Sequence, residues 1–242
     1  MDATLDLMAT ALSTDLYEIT MAAGYVTAGI ADRASFELSV RSLPANRSYL
    51  IAVGLGPALE YLENLAFTAA EIRYLRGLPA LRHVPSDFFD ETLPSLRFTG
   101  DVWAMPEGTP VFPHEPLIRV TAPLVEAQLV ETTLLSTLSF QTSVASRAAR
   151  IVDAADGRPV FEFGARRAHG TDAGLFAARG AYVGGCGGTS MVEAGYRYGV
   201  PLTGTMAHSW VMCFDTETEA YERYMDLYGR QAVLLIDTYD SA

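Results

Sequence analysis

The sequence predicts an α/β chain in two parts, an N-terminal α/β domain over residues 1–157 and a run of four βα units over residues 158–242. Two observations carry this. The hydrophobic period changes after the turn DGRP, from helical spacing to short apolar runs. Those runs, VFEFG (160–164), AYVGG (181–185), PLTGT (201–205) and AVLLIDT (232–238), alternate with helix-like segments at 172–179, 188–198 and 216–229. A β-α-β-α order calls for right-handed crossovers and a parallel sheet. Four such strands form an open sheet or part of a closed barrel, and the end of the chain just past the fourth favours the barrel, left incomplete.

Upstream, residues 13–29 read as a helix, with Ser13 or Thr14 as cap and Leu16, Ile19, Thr20 and Ala23 at helical spacing. Residues 34–40 alternate as a strand and 49–53 form another. Residues 56–65 and 68–76 read as short helices, the second capped by Thr68, and 85–92 as a third. Residues 96–122 hold short strands punctuated by Gly and Pro turns. Residues 123–152 start at a proline and keep i, i+3, i+4 spacing, as one long helix or two abutting ones. Their Ser and Thr run at 136–146 predicts close packing on one side.

Composition narrows the classes. Half of the 242 residues are hydrophobic, enough for a sizeable core. No apolar run of about 18 residues appears, so no membrane-spanning helix is expected. The start, MDATLDLMATALSTDLYE, is acidic where a secretory leader is basic. The net charge of −12 excludes a basic nucleic-acid footprint. Cys186 and Cys213 make no disulfide framework or metal spacing and read as packing residues; a reducing, cytoplasmic compartment is expected.

Parallel α/β architectures carry their sites at the carboxyl ends of the strands. EFGARR, GGCGGTS, TGTMAHS and IDTYD are therefore expected on one rim. Arg166 and Arg167 follow the first strand; guanidinium groups there suit phosphate, although ion pairs with Glu162 or Asp172 are the competing reading. Phe163 reads as a core residue or as a face for a planar ring. The turn before Ser190 is neither a Walker loop nor GxGxxG, and on its own it marks only close backbone approach. His208 sits among Gly204, Thr205, Ala207 and Ser209, small neighbours that leave an imidazole open for acid–base or nucleophilic chemistry. Asp237 and Asp240 suit ribose hydroxyls or a metal. In isolation Tyr17 reads as core.

Together these motifs resemble nicotinate phosphoribosyltransferase: TDLYEITMAAGY, EFGARRAHG, the GGTS turn, GTMAHSW and LLIDTYD occur in that family's order between residues 14 and 240. The resemblance implies an irregular α/β barrel after the N-terminal domain. It implies formation of nicotinate mononucleotide and pyrophosphate from nicotinate and phosphoribosyl pyrophosphate, coupled to ATP hydrolysis through a phosphohistidine and requiring Mg²⁺. His208 matches the phosphorylated histidine and Thr205 a nicotinate contact. Tyr17 matches an aromatic that stacks on the pyridine ring across a homodimer interface. Similarity to nicotinamide-using relatives makes Phe163 the opposite stacking face and Arg166 a phosphate ligand. Those relatives carry aspartate at the position of Ser190, so serine fits the acid substrate.

The family's chain is longer and supplies further barrel strands and ligand-binding loops. The expectation is therefore an N-terminal portion, with four strands leaving an apolar edge for a fifth, and inactive alone. The alternatives are a nicotinamide phosphoribosyltransferase, a non-catalytic dimerising or regulatory fragment, and one half of a split enzyme.

Overall fold

A computed structural model describes residues 9–240; the acidic start at residues 1–8 lies outside them. The first element is helix α1 (Leu16–Thr27). Its N-cap is Asp15, with no side-chain cap bond, instead of Ser13 or Thr14. The Thr14 hydroxyl is drawn elsewhere, to the Glu18 carboxylate and the Leu129 carbonyl. Ile19 and Ala23 face the core as their spacing predicts, whereas Leu16 is exposed.

Strand β1 (Arg33–Ser39) and strand β2 (Leu50–Ile51) follow, then helices α2 (Leu55–Glu63) and α3 (Ala69–Arg76). Thr68 caps α3 through a reciprocal box: its hydroxyl accepts from the Glu71 N–H and the Glu71 carboxylate accepts from the Thr68 N–H. The helix expected at 85–92 is a π-helical turn, Phe88–Thr92, running into the short α4 (Leu93–Ser95); it buries Phe88 and Phe89 edge to face.

The Gly/Pro-punctuated stretch yields β3 (Asp101–Ala104), β4 (Pro110–Val111) and β5 (Pro116–Pro123). β5 pairs antiparallel with both β1 and β3, and β2 pairs antiparallel with β4. One face of β5 buries Ile118, Val120 and Ala122, while Arg119 on the other face pairs with Glu37 of β1. Two abutting helices then occupy the predicted helical segment: α5 (Leu124–Leu129) and α6 (Glu131–Ala154).

The hydroxyl run on α6 has two structural uses. Thr142 bonds both the N–H and the carbonyl of Val53, and the Ser146 hydroxyl accepts from the Ile51 N–H at 2.8 Å. These side chains satisfy backbone groups of β2 and of the residues just after it that strand pairing does not reach. On the next face, α7 (Thr171–Val183) crosses α6 so closely that a Cβ at Gly184 would lie 2.5 Å from the Ala145 carbonyl.

After α6 come β6 (Phe161–Glu162), α7, β7 (Gly188–Thr189), α8 (Val192–Tyr198), α9 (His208–Val211) and α10 (Glu217–Tyr228). β6 and β7 are parallel, and Thr189 bridges in parallel to Leu202. Two predicted strands are corrected. AYVGG is the last turn of α7, because Leu175, Ala178 and Ala181 keep one buried helical stripe that stops only at Gly184. AVLLIDT forms no ladder: Leu234 and Leu235 pack against the cluster of Met206, Val211 and Ala220, while Val233 and Ile236 are exposed.

Candidate functional site at the carboxyl ends of the parallel strands

The rim is built by hydrogen bonds running across three chain segments. The Gly187 N–H donates to Val160, the Thr189 N–H to Pro201 and the Thr203 N–H to Thr189, giving a parallel ladder of minimal length. β7 comes so near the third segment that a Cβ at Gly188 would lie 2.4 Å from the Pro201 carbonyl. Phe163, Ser190 and Gly204–Thr205 therefore leave the ladder on the same side.

Phe163 is 43% exposed and not core, so its ring is presented to solvent on this rim. Beyond Gly164 the chain makes a 3-10 turn, Ala165–Arg167, closed by the Arg167 N–H to the Gly164 carbonyl at 2.8 Å. Arg166 and Arg167 are both exposed, and among the described residues neither forms an ion pair. Glu162, their competing partner in the sequence reading, is committed elsewhere. Ser190 is exposed, and its N–H donates to the Glu162 carbonyl at 3.1 Å. The Thr205 hydroxyl donates to the Met206 carbonyl at 2.8 Å.

His208 opens α9 and is exposed. Its Nδ1 lies 3.3 Å from the Thr238 hydroxyl, which leaves Nε2 as the outward nitrogen. This contact brings the IDTYD segment to the rim through a side chain and not through strand pairing. Trp210 anchors α9: its indole N–H donates to the Ala220 carbonyl on α10, and its ring meets Phe214 and Tyr224. Asp237 is exposed near Tyr221, and Asp240 is exposed at the end of the described chain.

Tyr17 lies on α1, which packs against α5. It is 45% exposed and so not the core residue its sequence context suggests in isolation. Desolvation of the phenol, with the Glu131 carboxylate beside it, pushes its pKa well above the usual range, so it stays a donor. Cys186 is buried as expected, and burial raises its thiol pKa; Cys213 is exposed, its thiol turned to the Ser209 carbonyl, and is no packing residue.

Glu162 is the functional candidate that sequence reasoning missed. Its carboxylate accepts from the Thr189 hydroxyl at 2.7 Å and from the Gly164 N–H. The available signal was a carboxylate inside an otherwise apolar strand. A cavity of about 660 Å³ is lined by α2, α6, α7, α8 and residues 9–14, and none of the predicted site residues lines it. Among the described residues no three His, Cys, Asp or Glu side chains cluster to hold a metal, and no helix is long and apolar enough to cross a membrane.

Comparison with known proteins points the same way. Residues 12–139 match the nicotinate phosphoribosyltransferase N-terminal domain. The chain is 51% identical over 231 residues to nicotinate phosphoribosyltransferase pncB2 of Mycobacterium tuberculosis, covering 96% of this chain and 49% of that protein. It is 44% identical to the Bacillus subtilis nicotinate phosphoribosyltransferase, covering 95% and 46%. Among solved structures, human nicotinic acid phosphoribosyltransferase superposes with a TM-score of 0.76 at 40% identity, over 83% of this chain and 40% of that one. The chain thus spans about half the length of the curated relatives it matches. It belongs to the nicotinate phosphoribosyltransferase family.

Proposed function

We propose that this chain serves the transfer of a phosphoribosyl group to nicotinate, giving nicotinate mononucleotide and pyrophosphate at the expense of ATP. One observation supports this above the rest. A solvent-facing aromatic and two arginines that form no ion pair among the described residues follow one parallel strand, and an exposed histidine follows the segment that bridges to the next.

In this reading the pyridine nitrogen attacks C1 of the ribose as the bond to pyrophosphate breaks. Phe163 stacks on the ring and Ser190 faces the carboxylate, where an aspartate would repel it. Thr205 contacts nicotinate once its hydroxyl turns from Met206. Arg166 and Arg167 meet phosphate oxygens and oppose the charge that develops on the leaving group. His208 takes a phosphoryl group from ATP on Nε2, since Nδ1 faces Thr238.

Mg²⁺ is commonly held by one or two carboxylates with substrate phosphates supplying the rest, and Asp237 and Asp240 fit that modest demand; the ion would neutralise pyrophosphate charge. Asp237 and Asp240 serve equally as ribose ligands. Tyr17 acts on the ring of a partner subunit in a homodimer, consistent with its exposure on α1. A division near residue 157 is supported by one buried cluster that draws its residues from 11 to 138. A cytoplasmic site of action accords with this metabolic role.

The test is an assay of the purified chain with nicotinate, phosphoribosyl pyrophosphate, ATP and Mg²⁺, run in parallel with nicotinamide. Nucleotide formed from nicotinate, together with acid-labile phosphate on His208, is the expected result. Preference for nicotinamide would assign the other substrate, and nicotinate binding without turnover would make the chain a non-catalytic or split portion.

A further inference from the structure

We propose that Glu162 is a positioning residue for the pyridine pocket, its carboxylate tying the loop that carries Phe163 to the loop that carries Ser190. The inference rests on the phosphoribosyltransferase reading above, in which those two residues flank the substrate ring.

Glu162 makes three ties from one position. Its backbone carbonyl accepts the Ser190 N–H at 3.1 Å. One carboxylate oxygen accepts the N–H of Gly164, directly after Phe163. The other accepts the Thr189 hydroxyl at 2.7 Å, and that hydroxyl accepts in turn from the Met191 N–H at 3.0 Å. Phe163 and Ser190 are thus each flanked by residues held to one carboxylate. Thr189 is fully buried, so water does not substitute at its end of the link. Hydrogen bonds to an ionised acceptor are stronger than neutral ones and set tighter geometry.

The chemistry explains why an acid stands in an apolar strand. Every partner of this carboxylate is a donor, and both of its oxygens are engaged. Glutamine keeps the shape but gives up the charge: its carbonyl still accepts from Gly164, while its NH₂ meets the Thr189 hydroxyl only as a neutral donor, so both ties weaken. Aspartate is one methylene shorter and does not span both. The ladder itself contributes little rigidity, because β6 and β7 are two residues each. The spacing between the stacking face and the discriminating serine therefore depends on the side-chain link. A shift of a few tenths of an ångström there changes substrate fit more than chemistry.

The experiment compares wild-type full chain with Glu162→Gln, Thr189→Val and Thr189→Ser. For Glu162→Gln and Thr189→Val the KM for nicotinate is expected to rise roughly tenfold, the size of one lost charged hydrogen bond. The KM for phosphoribosyl pyrophosphate should hold, and the preference for nicotinate over nicotinamide should fall. Thr189→Ser keeps the hydroxyl and should behave as wild type. The double variant Glu162→Gln/Thr189→Val should cost no more than either single change. A general loss of folding would instead lower kcat and leave both KM values alone.

Amide hydrogen exchange of Gly164 and Met191 gives a readout independent of turnover, and both should exchange faster in Glu162→Gln. Unchanged exchange, or unchanged nicotinate KM and preference in an active enzyme, overturns the proposal. A wild-type chain that neither binds nor uses nicotinate overturns the functional reading; faster exchange in that case leaves the tether as a purely structural link and overturns its role in the pocket.

Discussion

Arg179 of α7 grips Glu107 with two parallel bonds, Nη1 to Oε1 at 2.9 Å and Nη2 to Oε2 at 2.6 Å. The same guanidinium reaches Gln141 of α6 at 3.0 Å and lies over the Tyr198 ring of α8. Glu107 in turn accepts the Gly54 N–H at 2.7 Å. One half-buried ion pair thus joins the loops around β2 and β4 to the first helices of the βα run.

Breaking one side of this pair leaves the other charge desolvated. Arg179→Met is expected to cost about 3 kcal/mol in a urea titration. A larger loss than for Arg33→Met, whose exposed pair with Asp101 contributes little, is the discriminating comparison.

One half-buried and one buried carboxylate give opposite pH signatures. Arg179 holds the Glu107 carboxyl below its ordinary value against the pull of burial. Its contribution is present above pH about 4.5 and is lost as pH falls through the lower folded value. Burial raises Glu18, despite bonds from Thr132. Here the folded chain binds the proton more tightly, so its relative stability is greatest at low pH and declines as pH rises through the folded value. Glu18→Gln should therefore match or exceed wild-type stability at pH 7, whereas Glu107→Gln should lose it; melts at about pH 3, 5 and 7 read both.

Two glycines separate fold from function. Gly188→Ala places a methyl against the Pro201 carbonyl and should destabilise by about 1–3 kcal/mol. A Cβ at Gly204 meets nothing within 4 Å. Gly204→Ala should melt as wild type, and any loss of nicotinate binding then measures space reserved for a ligand.

His208→Ala should abolish acid-labile phosphorylation and ATP-coupled turnover while retaining nicotinate binding. Ser190→Asp should lower the affinity for nicotinate at least tenfold through charge repulsion and spare nicotinamide. Side-by-side binding titrations with the two pyridines check the second point, and phosphate labelling the first.

Much of the helical framework was legible in the chain. The Thr68 cap and the hydroxyl stripe of α6 follow from local rules, since capping and periodicity act within one or two turns, whereas the spacing over 123–152 fits one helix as well as the two observed. The parallel order of the segments that carry Phe163, Ser190 and Thr205 was also legible, because a βα order forces successive strand ends to one side.

AYVGG and AVLLIDT misled for the same physical reason. A short apolar run reads equally as strand or buried helix, and only its neighbours decide. Leu175 and Ala178 extend the helical stripe through Ala181, while 232–238 has two leucines packed on α10's cluster and no ladder to join.

The sequence by itself determined most element types upstream and the parallel order of the segments carrying the candidate residues, because spacing and turn chemistry are local properties. Tertiary structure alone decided that Glu162 serves Thr189 and Gly164 instead of the neighbouring arginines, that Thr238 reaches His208, and that Arg179 finds Glu107 across 72 positions. Such partners are chosen by distance and burial in three dimensions, and no spacing along a chain encodes them.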